Sequence, residues 1–392
     1  MKKISLILSC LLPLLAACST DGPDIAGLSG HPIYLRAGVD ETPRTRSPYV
    51  PMDQQDNMLD YPTATHPLHT DVWGSTTPYV FTEELDPDNG NKPYDGSGEN
   101  GKVAIHTDAI FLSGDPQLLR TAIYNETTKP EVFFVAFSPI SSGTGAWSTT
   151  DGTKAMRSFY GNDDLLFAPQ VKGTYAQDFS KSPLLHFRHL LTWLRIEVKA
   201  ESEAVSNSWG KIRSISLTSG SRVEVNLAQD AYDSEGNYLF NEDNVKFDEE
   251  KQMSFYQVDE EEVFEGSDIK IRKVYTNDVY PVTEELIPYK GLKEVAYVMC
   301  APVMATATTV EDGQDVASAE YTLRIVTEKR TVSIPVDLML EYNQPYIGST
   351  RCKQFTLLLN FKMGNTVYVA TSVSDWRTGA IVTEDVDDDD IS

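Results

Sequence analysis

The sequence predicts an all-β protein built from two antiparallel β-sandwiches in tandem. The chain has 392 residues, a length that suggests two domains at about 100–200 residues each. Short apolar alternations of period two recur along it, separated by turns rich in Gly, Pro, Asp and Asn, and no amphipathic helix exceeds about three turns. With 41% hydrophobic and 23% charged residues, the chain can bury a sizeable core.

The charge balance excludes one class of partner. The chain has 33 Lys and Arg residues against 58 Asp and Glu residues, a formal net charge of -25, and no basic stretch that could neutralise a run of phosphates. We therefore expect no nucleic-acid partner. A surface with this excess of carboxylates is soluble and self-repelling.

The N-terminal residues predict export. Lys2 and Lys3 precede an apolar stretch at residues 4–15, which is shorter than the ~20 residues that span a membrane. Residues 1–17 are thus predicted to be a signal peptide. The sequence Leu15-Ala-Ala-Cys18 resembles a bacterial lipobox, which implies cleavage before Cys18 and acylation of its sulfur. The alternative is an ordinary signal peptide with a chance cysteine.

The residue after Cys18 indicates the destination. In the lipoproteins that this segment resembles, Asp at that position marks retention in the inner membrane, so Ser19 favours the outer membrane. Residues 18–31 are predicted to be a flexible tether between the lipid and the fold. We expect a precursor that is held on the cell outer membrane by its lipid.

A half-buried strand follows the tether. Ile33, Leu35, Ala37 and Val39 share one face of this strand. The next segment, residues 40–48, contains two prolines and no large apolar side chain, so we expect an exposed, extended and protease-accessible loop. This loop carries Arg44 and Arg46.

Two apolar segments lie on either side of the predicted domain boundary. Residues 131–139 form a nearly continuous apolar run that ends at a proline, as expected for a central sandwich strand. Residues 184–199 are more apolar still, but their alternation changes parity, which predicts a bulge or a short helical turn. We assign residues 32–182 to an N-terminal sandwich, 183–379 to a C-terminal sandwich and 380–392 to an acidic tail.

Short strands recur in the second half of the chain. They are predicted from apolar residues of one parity with turn signals between them. These residues are Ile215 and Leu217; Val223, Val225 and Leu227; Ile269 and Ile271; Val295, Tyr297 and Met299; Tyr321, Leu323 and Ile325; Val332, Ile334 and Val336; Phe355, Leu357, Leu359 and Phe361; and Val367 and Val369.

The cysteines leave two alternatives open. Cys10 departs with the signal peptide and Cys18 would carry lipid, so Cys300 and Cys352 remain in the body of the protein. An oxidising envelope permits a disulfide between them. Two buried free thiols on separate strands fit the sequence as well.

No group of residues has the spacing of a catalytic or metal site. His186 and His189 are three residues apart and face opposite sides of a strand, so His189 is expected to be structural. Residues 86–101 resemble a calcium loop in composition but not in spacing. The Glu260-Glu261-Glu262 run is expected to be a solvated face. We therefore predict no enzyme, no metal and no cofactor.

Five sequence features occur in a fixed order along nearly the whole chain. They are the lipobox at Cys18; the strand at residues 33–39 with Arg44 and Arg46 after it; Val132-Phe-Phe-Val-Ala-Phe-Ser-Pro139; the pair Asp164-Leu-Leu-Phe-Ala168 and Phe187-Arg-His-Leu190; and Val373-Ser-Asp-Trp-Arg-Thr-Gly379. Each is mostly a strand pattern. Their order resembles that of the Bacteroidales fimbrillins, a family of fimbrial subunits and fimbrillin-like lipoproteins.

The resemblance implies two transthyretin-like sandwiches and polymerisation into a surface fibre. In that family a protease removes the N-terminal strand after an arginine, and a terminal segment of the next subunit fills the groove. Here this implies cleavage after Arg46 or Arg44, and Arg46 is preferred because it lies farther from the strand.

The C-terminal end departs from the family pattern. Residues after Gly379 alternate poorly and run into Asp387-Asp-Asp-Asp390, which could not enter an apolar groove cheaply. The donor is then the strand at residues 367–373, or the chain caps or anchors a fibre.

Two functions remain open at this point. The first is a structural subunit of a bacterial surface fimbria, as shaft, tip or anchor, which binds other fimbrial subunits and supports adhesion to a host or bacterial surface. The alternative is a monomeric outer-membrane lipoprotein that binds a glycan or host ligand, with Trp73, Trp147 and Trp209 as a stacking surface unless they pack in the core. The arginine loop favours the first, because a monomeric binder gains nothing from a cleavable strand.

Overall fold

A computed structural model gives the fold of the chain. It describes residues 31–39, 68–75, 77–81, 85–86, 92–93, 105–111, 117–124, 132–140, 146–173, 184–265, 268–279, 281, 286–303, 306–309, 315–340, 351 and 353–375. These residues form 21 strands and one α-helix. The predicted all-β class is confirmed, and its strand pairs are antiparallel apart from β1–β10 and β11–β20, which are parallel.

Most of the strands that precede residue 190 belong to one sheet. The first ten strands are β1 (His31–Val39), β2 (Leu68–Ser75), β3 (Leu85–Asp86), β4 (Lys92–Pro93), β5 (Ile105–Phe111), β6 (Gln117–Tyr124), β7 (Val132–Ser138), β8 (Lys154–Ser158), β9 (Leu166–Gly173) and β10 (Leu184–His189). Seven of them form a sheet in the order β5-β2-β7-β9-β10-β1-β6. Strands β3 and β4 form a separate pair.

The remaining strands form two further sheets. The elements are β11 (Thr192–Ala200), α1 (Glu203–Trp209), β12 (Ile212–Asn226), β13 (Val245–Ser254), β14 (Tyr256–Glu265), β15 (Asp268–Val279), β16 (Lys293–Cys300), β17 (Thr306–Thr309), β18 (Asp315–Thr327), β19 (Thr331–Leu340), β20 (Lys353–Phe361) and β21 (Val367–Asp375). One sheet has the order β15-β14-β16-β11-β20-β21. The other has the order β13-β12-β18-β17, with β19 paired to β18 and β8 paired to β12.

The burial patterns explain why these segments are strands. Strand β7 is buried at all seven positions, as predicted for a central strand, and it lies between β2 and β9. In strands β11 and β20, buried residues alternate with partly exposed ones over most of the strand. The period-two apolar pattern of their sequences therefore matches the face that packs in the sandwich. The two sheets of the second half share one apolar core.

The change of parity in residues 184–199 is a change of sheet. Strand β10 ends at His189 in the seven-stranded sheet, and β11 begins at Thr192 in the next sheet. Leu190 and Leu191 between them are fully buried. Consecutive strands in different sheets have no common face and need not keep one parity, so this change of sheet interrupts the alternation. Within the same segment, the pairing of β11 with β16 is also irregular between Ile196 and Glu197, which agrees with the predicted bulge.

The sheets cross the domain boundary that the sequence suggested at residue 182. Strand β10 follows this boundary but lies in the first sheet, and β8 precedes it but pairs with β12. Residue 182 lies outside the described residues, so the boundary stays a prediction, and β8 connects the two halves through its pairing with β12.

The two halves share one hydrophobic cluster. It extends from Trp73 and Phe137 in the seven-stranded sheet to Leu194 and Phe361 in the sandwich. Where the halves meet, the Phe167 ring packs edge-on against Tyr238, with 5.1 Å between the ring centroids. The junction is therefore an apolar interface rather than a linker.

The helix α1 closes the far end of the sandwich. The Ser202 side chain accepts a hydrogen bond from the Val205 N–H, and Gly210, with a φ of 75°, ends the helix. Trp209 anchors it in the core and donates its indole N–H to the Lys362 carbonyl at 2.8 Å. Among the described residues, no helix has the length and apolar character needed to cross a membrane.

Candidate functional site: the first strand and its groove

The N-terminal strand β1 has a neighbour on each side. Its first half, residues 31–35, pairs antiparallel with β6, with an irregularity between Pro32 and Ile33. Its second half, residues 36–39, pairs parallel with β10. Each half of β1 is thus hydrogen-bonded mainly to a different strand, and β6 reaches the rest of the sheet through β1.

Leu35 is the side chain of β1 that the structure describes, and it lies in the protein interior. Leu35 is fully buried, as predicted. Burial of one such side chain contributes roughly 1.5–3 kcal/mol. Loss of β1 would remove this contribution and would uncover backbone N–H and C=O groups on β6 and β10.

Strand β10 is the neighbour that pairs with the second half of β1. Leu185 and Phe187 are fully buried, and His189 lies within 2.7 Å of the Asp164 carboxylate through its Nδ1 atom. Both members of this pair are almost completely buried. His189 therefore has the structural role that the sequence predicts, and it fixes the end of β10 to the segment before β9.

A buried arginine also fixes the segment before β9. Arg157 donates hydrogen bonds to the Pro139 carbonyl and, at 3.3 Å, to the Asp163 carboxylate. Burial raises the pKa of the Asp163 carboxyl, and the Arg157 charge opposes that shift. The guanidinium also lies 5.9 Å from the centre of the Trp147 ring. These contacts tie β8 to the end of β7.

Four of the five predicted site residues lie outside the described residues. These are Cys18, Arg44, Arg46 and Cys352, and their roles in lipidation, cleavage and disulfide formation stay predictions. Cys300 is described: it carries a buried free thiol whose S–H donates to the Thr192 carbonyl at 3.7 Å.

The alternative donor strand is part of the sandwich. Residues 367–373 lie in β21, which pairs antiparallel with β20 along its whole length and forms an edge of its sheet. Val367 and Val369 pack against the core. To act as a donor, this strand would have to leave β20. Residues 380–392 lie outside the described residues.

The three tryptophans that could have formed a stacking surface lie in the core. Trp73 and Trp209 have 0% exposure and Trp147 has 5%. The described residues contain no group of three or more His, Cys, Asp or Glu side chains placed to hold a metal ion. The segment Glu260-Glu261-Glu262 lies in strand β14.

A polar cavity lies where the two halves meet, and sequence reasoning missed it. It has a volume of about 500 Å³ and is lined by Tyr79, Gln229, Tyr232 and residues 233–236. The rings of Tyr79 and Tyr232 are 5.0 Å apart. Tyr79 has a φ of 64°, which is rare for a residue with a large side chain.

Comparison with known proteins gives matches in structure alone. No protein-family model and no curated protein sequence matches the chain. Two solved structures described as putative cell adhesion proteins, from Bacteroides uniformis and Bacteroides ovatus, are 12% and 13% identical to it, with TM-scores of 0.39 and 0.43. Each alignment covers 88% of this chain and 98% of the other.

A third solved structure is the fimbrial anchor protein Mfa2 from Porphyromonas gingivalis. It is 10% identical, with a TM-score of 0.34, over 88% of this chain and 98% of that chain.

Proposed function

We propose that this chain is a structural subunit of a bacterial surface fimbria, exported as a lipoprotein and assembled after proteolytic loss of β1. The observation that carries the proposal is the position of β1. The strand lies between β6 and β10 inside a sheet, and Arg44 and Arg46, which the sequence predicts to be in a loop, follow it within a few residues. A cut in that loop would separate β1 from the rest of the fold.

Loss of β1 would create a strong acceptor for another strand. Backbone groups of β6 and β10 would lose their partners, and the space occupied by Leu35 would open. A strand from another subunit would restore the ladder and refill the apolar space. The free energy lost with β1 would thus be regained when the strand of another subunit binds, and this gain would drive assembly.

The same proposal accounts for the predicted export signal. Acylation of Cys18 would hold the uncleaved precursor at the outer membrane, because the lipid lies on the N-terminal side of β1. Cleavage after Arg46 or Arg44 would release the body from the lipid and open the groove in one step. The role is structural and adhesive rather than catalytic.

The experiment compares the chain with an arginine-loop variant. Arg44→Ala/Arg46→Ala should leave a lipidated precursor that does not enter fibres, and wild-type fibres should begin at Ser47 or close to it by mass spectrometry. Arg213→Ala/Arg222→Ala, which removes two exposed arginines elsewhere, is the matched control and should assemble normally. Fibres that retain residues 18–46, or normal fibres from the loop variant, would refute the cleavage route.

The alternative is a monomeric surface lipoprotein that binds a glycan or host ligand. The cavity with Tyr79 and Tyr232 in its lining favours it, since aromatic rings beside polar groups suit a sugar. Immuno-electron microscopy of sheared surface material separates the two functions. Label along fibres or at their ends supports a fimbrial subunit, and label on bare membrane supports the monomer.

A further inference from the structure

The far end of the sandwich exposes apolar side chains. We call this end the C-terminal pole; it consists of α1, the loop at residues 286–292, the turn at 328–330, and the β20–β21 turn with the first two residues of β21, 362–368. Five of its large apolar residues are exposed by between 44% and 65%. They are Leu286, Tyr289, Leu292, Met363 and Tyr368. Tyr and Met are enriched in protein interfaces.

The loops of the pole are held in place by hydrogen bonds. The Ser206 hydroxyl donates to the Ile287 carbonyl, and the Ala200 N–H donates to the Pro288 carbonyl at 2.6 Å. On the other side of the helix, the Lys329 ammonium donates to the Asn207 carbonyl at 2.6 Å. The pole is therefore a preorganised surface, and its apolar side chains need little ordering when a partner binds.

Three cations of the pole interact with neutral groups. Arg330 donates to the Ser208 carbonyl and to the Asn365 side chain and lies over the Trp209 ring. The Lys290 ammonium lies 5.8 Å from the centre of the Tyr289 ring. Among the described residues, no carboxylate forms an ion pair with Lys290, Lys329 or Arg330. The pole also contains Lys362 and two carboxylates, Glu203 and Glu328, so its cations outnumber its carboxylates by four to two. In a chain with a net charge of -25, this end combines an excess of positive charge with exposed apolar surface.

A complementary surface lies at the opposite end of β12. The β12–β13 loop, residues 227–244, has five carboxylates, no Lys or Arg, and an exposed Leu239. The carboxylates are Asp230, Asp233, Glu235, Glu242 and Asp243. This loop also forms most of the lining of the 500 Å³ cavity beside Tyr79. Aromatic rings and carboxylates together suit the ammonium group of a lysine.

The two surfaces cannot meet within one molecule. Strand β12 has 15 residues and separates them by about 50 Å at 3.3 Å per residue. We propose that the C-terminal pole of one copy docks on the β12–β13 loop of a second copy. The inference rests on the proposed fimbrial function and adds a second contact to strand exchange. Because two different patches meet, the contact leaves both ends free and favours a filament.

The overall negative charge does not prevent such a contact. Repulsion between distant carboxylates is screened beyond about 8 Å at physiological ionic strength. At contact distance, the local pairing of Lys and Arg with Asp and Glu determines whether the two surfaces attract each other. The docked copy also covers the apolar residues around these charges.

Charge reversal tests the contact in solution. Lys290→Glu/Lys329→Glu alters the pole, Glu235→Lys/Glu242→Lys alters the loop, and Lys172→Glu/Lys251→Glu is a control with the same charge change as the pole variant. Sedimentation velocity of the purified mature chain should show self-association that weakens about tenfold or more in the pole and loop variants. An equimolar mixture of these two variants should recover association, and the control should behave like the wild type.

Several results would overturn the inference. They are a wild type that stays monomeric at every concentration, a pole variant that associates like the wild type, an equal loss in the control, and a mixture without recovery. Immuno-electron microscopy of cells separates this failure from failure of the proposed function. Normal labelled fibres from the pole variant would refute the docking contact alone, whereas absence of labelled fibres in the wild type would refute the fimbrial function.

Discussion

Removal of one buried charge should destabilise the sandwich measurably. The Glu294 side chain on β16 has 0% exposure and joins two cations from other strands. Arg195 on β11 donates two hydrogen bonds to its carboxylate, one of them from Nε at 2.7 Å. The Lys273 ammonium on β15 reaches across β14 and donates at 2.6 Å. Glu294→Gln keeps the shape of the side chain and removes its charge.

The magnitude follows from the burial of the partners. Removal of one member of a buried ion pair costs about 3–5 kcal/mol. Arg195 and Lys273 retain 19% and 35% exposure, so water can compensate them in part. We expect a loss of about 2–4 kcal/mol, which corresponds to a fall in Tm of about 5–15 °C. The matched control is Glu201→Gln, because Glu201 is 51% exposed and pairs with Lys362, and its change should cost less than about 1 kcal/mol.

The pH dependence gives an independent check. Burial would raise the pKa of the Glu294 carboxyl, but the hydrogen bonds and charges of Arg195 and Lys273 outweigh it and hold that pKa below its ordinary value. A depressed folded-state pKa gives stability that is present above the unfolded-state pKa and is lost as pH falls through the folded value. Calorimetry should therefore show a Tm gap between wild type and Glu294→Gln that shrinks as pH is lowered from 7 to 3. An equal fall in Tm for Glu294→Gln and Glu201→Gln, or a Tm gap that does not depend on pH, would refute the reasoning.

The other predictions concern single positions. The Cys300 thiol should react with a thiol reagent only when the protein unfolds, because burial raises its pKa to about 12; reaction at the rate of an exposed cysteine in the native protein would contradict this. Gly161→Ala should lower the free energy of unfolding by about 1–3 kcal/mol more than Gly236→Ala, and should therefore lower Tm more. Both glycines have a positive φ, but only at Gly161 would a Cβ lie 2.8 Å from a Val298 methyl, so equal shifts would exclude the steric cause. Cys18→Ala should abolish metabolic labelling by a fatty-acid analogue, and unchanged labelling would exclude Cys18 as the acylated residue.

The sequence predicts strands best where one face packs in the sandwich. Strands β16, β18, β19 and β20 all occur where alternating apolar residues place them. Strand β14 was not predicted, because residues 259–265 contain five carboxylates and no period-two apolar pattern. Its ladder with β15 supplies the backbone pairing that the side chains do not encode. Likewise, the sequence suggested two short strands in β12, whereas one strand continues through Gly220 by changing its neighbour from β18 to β8.

The elements of the candidate site were easier to predict than their neighbours. The alternation at Ile33 to Val39 predicts the strand β1, but nothing local indicates that it lies beside β10, about 150 residues later in the chain. The pairing of Asp164 with His189 and of Glu294 with Arg195 also joins residues far apart in sequence. Such contacts depend on sheet order, and a single sequence contains no record of it.

The divided pairing of β1 affects how any strand could replace it. A strand with one partner along its first half and another along its second half can be released in two smaller steps, each breaking one ladder. An incoming strand could then pair with β6 first and afterwards displace the β1 residues that are bonded to β10. It could also pair with β10 first and displace the residues bonded to β6 afterwards. Its direction is also consequential: a chain that runs like β1 would reproduce the parallel pairing with β10, and a reversed chain would pair antiparallel with β10 and parallel with β6. The direction in which the donor strand inserts thus decides which of its two neighbours, β6 or β10, it pairs with more strongly.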